Sequence, residues 1–199
     1  MKATIFQNIR FILYYVILIP HYISLLFSKN KEVIYYDIKR WQKIMRLSYS
    51  RFNGLTYLLM NHKEFRNLFY HRLGGIAFLF LNFYLRKLST LYITTSVIGK
   101  GLFIHHGFAT IISAESIGDD CWVNQQVTIG FSNDTDCPVI LNNVRIAAGA
   151  KVFGKIICGN NSVIGANAVV TKDVPDNCTV IGVPAKIIKR NGIKTDEKL

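Results

Sequence analysis

The segment LFIHHGFATIIS, residues 102–113, sets two adjacent histidines, His105 and His106, among aliphatic neighbours. Imidazole has an ordinary pKa near neutrality, so it can act as a general base, ligate a metal, or simply pack in a core. On a regular strand, neighbours point to opposite faces, and adjacent histidines do not easily grip one ion together. His21, His62 and His71 lie far upstream, so no metal site is expected. Which of these roles the pair takes depends on the repeat that holds it. Cys137 is a second nucleophile to weigh. No cation or paired histidine beside it in sequence would lower its pKa, so it reads as a cleft-lining thiol.

The elements that hold these histidines follow a six-residue rule. Ile98 and Ile104 start it; after a one-residue slip Ile111, Ile117, Val123 and Ile129 continue it. Beyond a loop, Ile140, Ile146, Val152, Cys158, Ile164 and Val170 keep strict spacing. A second set of small or aliphatic residues follows four positions later, among them Cys121, Val127, Val144, Ala150, Ser162 and Ala168. A hexad with one inward aliphatic is the mark of a parallel β-helix, in which three hexads close one coil. Gly118, Asn142-Asn143, Gly159-Asn160-Asn161 and Gly165 supply turns. With Ile104 inward, neither histidine has to be core.

The stretches IGKGLFIHHG (98–107), IGDDCWVNQQVTIG (117–130), PVILNNVRIAAGAKVFG (138–154), IICGNNSVIGANAVVTKDVP (156–175) and IGVPAKII (181–188) resemble the hexapeptide-repeat acyltransferases. The resemblance is to their serine acetyltransferase branch and its relatives that O-acetylate bacterial surface sugars. It implies a left-handed parallel β-helix, acetyl-CoA as donor, and a homotrimer with active sites between neighbouring prisms. It places His106 as catalytic base and His105 where the family has an Asp. It sets Gly130, Ala147, Ala148, Gly149, Lys151, Gly182, Pro184 and Lys186 along the donor. Small residues there admit the pantetheine arm, and Lys186, Lys189 and Arg190 can meet phosphates.

Two departures stand out. The family's Asp-Arg-His-Pro loop is GFSNDTDCPVI here (130–140), with Asp136 for the Arg and Cys137 for the His. The Asp that in the family orients the base is missing from LYITTSVIG, so Asp134 and Asp136 are the candidates for orienting His106, and His105, Asp134, Asp136 and Cys137 those for binding the acceptor. These departures direct the expectation toward a sugar hydroxyl of a surface polysaccharide or its lipid-linked precursor, with serine O-acetylation in cysteine biosynthesis as the alternative.

The expected fold class is α+β: a helical N-terminal region (1–90), the β-helix (91–190) and a polar C-terminal tail (191–199). Charge is concentrated in the first part, where 14 Lys/Arg face 3 Asp/Glu out of a total net charge of +12. Residues 11–28 carry no charged side chain and are flanked by Lys2, Arg10, Lys29 and Lys31. With Pro20 and His21 interrupting the run, they read as a broken re-entrant or interfacial helix. In the following segment Ile34, Ile38, Trp41 and Met45 form one stripe of a basic amphipathic helix, with Trp41 at a membrane interface or, as readily, packed on neighbouring helices. Asn61, with Glu64 three residues on, reads as a helix cap. Membrane-surface contact is expected, at the cytoplasmic face of the plasma membrane. No recognised nucleic-acid motif is present, and the four cysteines read as free thiols.

Overall fold

The computed structural model describes residues 2–75 and 77–199, with side chains described for 10–75 and 79–199. It divides into two compact units, Met1–Lys87 and Leu88–Leu199.

The first unit holds five helices: α1 (Lys2–Leu26), α2 (Lys31–Ile44), α3 (Arg51–Asn61), α4 (Lys63–Leu73) and α5 (Ala77–Tyr84). α1 runs unbroken through Pro20, although proline offers no N–H to the carbonyl one turn back. The expected break is therefore absent. One stripe of α1, with Phe11, Leu18, His21 and Leu25, is buried. α2 buries Ile34, Ile38 and Trp41. Trp41 is only 1% exposed and meets Phe65 edge-on at 5.2 Å, so it packs in the helical core and not at an interface. The inter-helix polar contacts are specific. Arg72 Nε lies 3.1 Å from Asp37 Oδ2, both buried. His21 Nε2 lies 2.9 Å from the Tyr70 hydroxyl, which donates to the Leu85 carbonyl at 2.7 Å. Asn61 is not the cap of α4. It ends α3, with its Nδ2 donating to Tyr57 O, and α4 starts from His62, whose side chain makes no capping bond. The side chain that does cap is Ser50, which accepts from Asn53 N at the start of α3.

The second unit is a parallel β-helix with three faces. The first face stacks β1 (Leu91–Ile93), β4 (Thr110–Ile112), β7 (Thr128–Gly130), β10 (Lys151–Phe153) and β13 (Val169–Val170). The second stacks β2 (Val97–Ile98), β5 (Ser116–Ile117), β8 (Val139–Ile140) and β11 (Ile157–Cys158). The third stacks β3 (Phe103–His105), β6 (Trp122–Asn124), β9 (Arg145–Ile146), β12 (Val163–Ile164) and β14 (Cys178–Ile181). At its end β15 (Lys186–Arg190) and β16 (Ile193–Lys198) add an antiparallel hairpin. The α+β class therefore holds, with helices first and the solenoid after.

The six-residue rule fixes the core. Ile117, Val123, Ile129, Ile140, Ile146, Val152, Cys158, Ile164 and Val170 are all buried, and the smaller set from Cys121 to Ala168 is buried beside them. Two positions differ from expectation: Ile98, in the first coil, is only half-buried, and Ile111 is not the inward residue. Ile111 is 42% exposed, and Ile112 is the inward residue, in register with Ile129. Ile104 and Ile112 are eight residues apart where Val123 and Ile129 are six, so the extra residues lie in the turn that carries His106. At the corner between second and third faces, side-chain oxygens climb from coil to coil. Asp119 Oδ1 accepts from Lys100 N, Asn142 Oδ1 from Asp119 N, and Asn160 Oδ1 from Asn142 N. Gly118 faces this ladder, and a Cβ there would come within 2.5 Å of Asn142 Oδ1.

Candidate active site

β3 ends at His105, and the chain then turns from the third face to the first. His106 takes a left-handed conformation (φ 63°), Gly107 has φ 31° and Ala109 φ 50°. Histidine is among the few non-glycine residues that enter this region with any frequency. Strand alternation therefore stops at His105. The expectation that the two histidines face opposite ways fails for this reason: their rings are 3.9 Å apart, tilted by 33°. His106 is exposed and His105 half-buried.

Neighbours on the third face position His105. Its ring stacks 5.9 Å from Phe103 and meets Trp122 edge-on at 5.8 Å. Trp122 is fixed in turn, with Nε1 donating to Asn124 Oδ1 at 2.5 Å and the Arg145 guanidinium 4.6 Å above its ring. Sequence reading missed Trp122 and Arg145. The signal was available, since both occupy the outward register of Phe103.

Each coil crosses from third to first face at the same edge of the prism. His106 sits on that edge in one coil and Ala147, Ala148 and Gly149 in a later one. Gly182 and Pro184 belong to the turn between β14 and β15, which meets the first face at β13, with Gly182 O accepting from Val169 N and Ala185 N donating to Val169 O. The backbone there is held between coils, with Gly149 N donating to Gln125 O and Asn167 N to Ala148 O. Gly149 (φ 74°) could not carry a Cβ, which would fall 2.0 Å from Asn167 Oδ1. The outcome is a small-residue edge with His106 near one end. At the other end is a cavity of about 190 Å³ lined by Pro184, Lys186, Lys172 and Lys198. The last two lysines were not anticipated. The Lys172 ammonium donates to Leu199 O at 3.0 Å, and Lys186 lies 4.0 Å from Asp196.

Other predicted residues lie elsewhere or are otherwise engaged. Lys151 points along the first face and donates to Gln126 O (2.6 Å) and Thr128 Oγ1 (3.1 Å). Arg190 is paired with Glu197 at 2.7 Å. Gly130 ends β7, on the first face. Asp134, Asp136 and Cys137 belong to the loop between β7 and β8, which leaves from the corner of first and second faces. The chain's own fold does not bring that loop to the His106 corner. Asp136 is knit into its loop, with Oδ2 accepting from Asn133 Nδ2 at 2.8 Å. Burial, with Glu115 and Asp136 nearby, raises the pKa of the Cys137 thiol, which disfavours a thiolate.

No family model matches the chain. The serine acetyltransferase of Synechococcus elongatus is 44% identical over 103 residues, which cover 50% of this chain and 42% of that protein. The chain thus spans about half the length of the curated relatives it matches. Among solved structures, the serine acetyltransferase of Brucella abortus superposes with a TM-score of 0.62 at 32% identity, covering 80% of this chain and 68% of that one. A serine acetyltransferase solved in complex with CoA gives 0.64 at 25% identity, over 79% of this chain and 69% of that one. This chain belongs to the serine acetyltransferase branch of the hexapeptide-repeat acyltransferases. Its solenoid is the left-handed β-helix of that family.

The comparisons correct the expected sugar acceptor. The curated relatives at 42–45% identity and the solved neighbours are serine acetyltransferases. The sugar reading rested on the Arg and His replaced at Asp136 and Cys137. Those two residues sit on one loop held largely by its own hydrogen bonds. Local substitution there says less about the acceptor than the likeness of the surrounding coils.

Proposed function

We propose that this chain is an acetyl-CoA-dependent serine O-acetyltransferase with His106 as general base. The observation that supports this most is the shared edge. The turn that carries His106 lies on the same corner of the prism as the small residues 147–149, and the 182–186 turn meets the first face at β13. Strands stack about 4.8 Å apart, so a long, narrow thioester carrier can lie along that edge across several coils. In this reading the His106 imidazole takes the hydroxyl proton of serine as the oxygen attacks the thioester carbonyl. The tetrahedral adduct then collapses, the C–S bond breaks, and the CoA sulfur leaves and gains a proton. Alignment of the two substrates supplies much of the remaining rate. Lys186, Lys172 and Lys198 at the far end suit the phosphates of CoA. Loop 130–140 leaves from a different corner, so a second copy of the chain would supply it to His106, in the homotrimer that the family resemblance implies.

The test is CoA release from acetyl-CoA with L-serine, wild type beside His106→Ala. Removing the base should lower kcat by about 10²- to 10⁴-fold with little change in the KM for acetyl-CoA. No turnover with L-serine, or an unaffected His106→Ala variant, overturns the proposal.

A further inference from the structure

From Phe11 to Leu26 α1 carries no Asp, Glu, Lys or Arg and is mostly apolar, yet only one side of it is covered within its unit. Phe11, Leu18, His21 and Leu25 face inward, while Ile12, Val16, Ile19, Ile23 and Leu26 form an opposite row, each at least half exposed. Leu13 and Phe27 widen that row. α5 repeats the pattern, with Leu79, Phe80, Phe83 and Tyr84 exposed. A helix that is apolar on every side is normally buried in protein or lipid.

Charge identifies the missing medium. Residues 1–31 contain no Asp or Glu, nor do residues 65–87. Of the acids in between, Asp37 is consumed by its buried pair with Arg72. The exposed rows are bracketed by cations: Arg10, Lys29 and Lys31 around α1, Arg86 and Lys87 after α5. A cavity of about 180 Å³ adjoins the end of the α1 row. It is lined by Tyr22, Leu25, Leu26 and Phe52, with Arg51 held 4.4 Å over the Tyr35 ring at the same site. An apolar recess beside a guanidinium suits an acyl chain below a phosphate. A second copy of the unit answers the apolar rows but would oppose one strongly cationic surface with another. An anionic bilayer answers both features.

We propose that the helical unit docks on an anionic phospholipid surface, with the outer row of α1 immersed in the plane of the leaflet and α5 contributing beside it. Among the described residues no helix is long and apolar enough to cross a membrane, so the contact is interfacial. The docking does not depend on the acyl-transfer reading, and its assay contains no acetyl-CoA.

The experiment is flotation of the full chain with vesicles of phosphatidylcholine, and of phosphatidylcholine with phosphatidylglycerol, at low and high salt. Analytical ultracentrifugation is run alongside without lipid. The wild type should bind the anionic vesicles at least about tenfold more tightly than the neutral ones, and lose this preference in high salt. Val16→Glu with Ile19→Glu should weaken binding about tenfold or more, with circular dichroism unchanged. Lys29→Gln with Lys31→Gln, which leaves the apolar row intact, should weaken it about tenfold at low salt only. Failure of the wild type to float overturns the proposal. So does flotation of both variants equal to that of the wild type, or a change of oligomeric state in the Val16→Glu, Ile19→Glu variant with lipid binding intact.

Discussion

Acidification should destabilise the helical unit through His21. The side chain is fully buried, and its Nε2 meets a Tyr70 hydroxyl that already donates to Leu85 O. Nε2–H must therefore be the donor, which requires an imidazole at least neutral and gives a second proton on Nδ1 no partner. Burial, with Arg66 adding to it, lowers the pKa from 6.5 to about 4. Between those values the unfolded chain binds a proton that the folded chain refuses. Stability is full above the unfolded pKa and declines as the pH falls toward the folded one. The slope approaches about 1.4 kcal/mol per pH unit, so going from about pH 7 to about pH 5 should cost roughly 2 kcal/mol. The assay is urea unfolding followed by helical ellipticity at the two pH values, wild type beside His21→Phe. Phenylalanine fills most of the space and removes the titration, while Tyr70 retains its carbonyl acceptor. The variant should lose most of the wild-type pH difference. If both proteins lose the same stability on acidification, the proton is taken up elsewhere and the reasoning about His21 is wrong. His62, whose pKa burial also lowers, would then be examined by the same comparison.

Two further outcomes follow from the packing. Asp37→Ala removes the buried carboxylate that pairs with Arg72 and should lower stability by about 3–5 kcal/mol in urea unfolding, whereas an exposed pair would give almost nothing. Ile164→Ala opens a cavity in the inward column, where Ile164 is fully buried between Ile146 and Val180, and should cost about 2–5 kcal/mol in thermal or urea unfolding of the solenoid.

The solenoid was legible because its period is carried by residues with a single suitable environment. Ile117, Val123, Ile129 and their successors recur at a spacing that neither a helix nor an ordinary sheet explains. The turn at the site was harder to read, since Ile111 and Ile112 are both apolar and either could close the register. Only strand pairing shows that the turn carrying His106 is the longer one, and hence that His106 stands off the strand beside His105. In the helical unit, stripe and charge located α2 but could not say what its apolar side meets. Trp41 faces Phe65 because α4 comes from a part of the chain that pattern alone does not bring alongside. Asn61 failed as a cap for a similar reason: the segment on its N-terminal side was already helical, and the break falls at His62.

The error over the acceptor has a physical lesson. Loop 130–140 lacks the Arg and His of the family motif, and the sugar expectation rests on that difference. In the folded chain the loop leaves from one corner of the prism and His106 from another, so within one copy its side chains do not share the His106 corner. Within the chain, the residues placed on or beside the edge of His106 are 147–149 and 182–184. Substrate inference from sequence should therefore weigh residues by the corner they occupy. A loop at a different corner carries weight only once the assembly that presents it is known. For this chain, that makes the L-serine assay and the sedimentation measurement complementary. Turnover that needs the trimer would show that the altered loop takes part across the interface. Turnover by a monomer would place acceptor recognition on the His105 face, with Arg145 as the cation nearest that face's aromatic cluster.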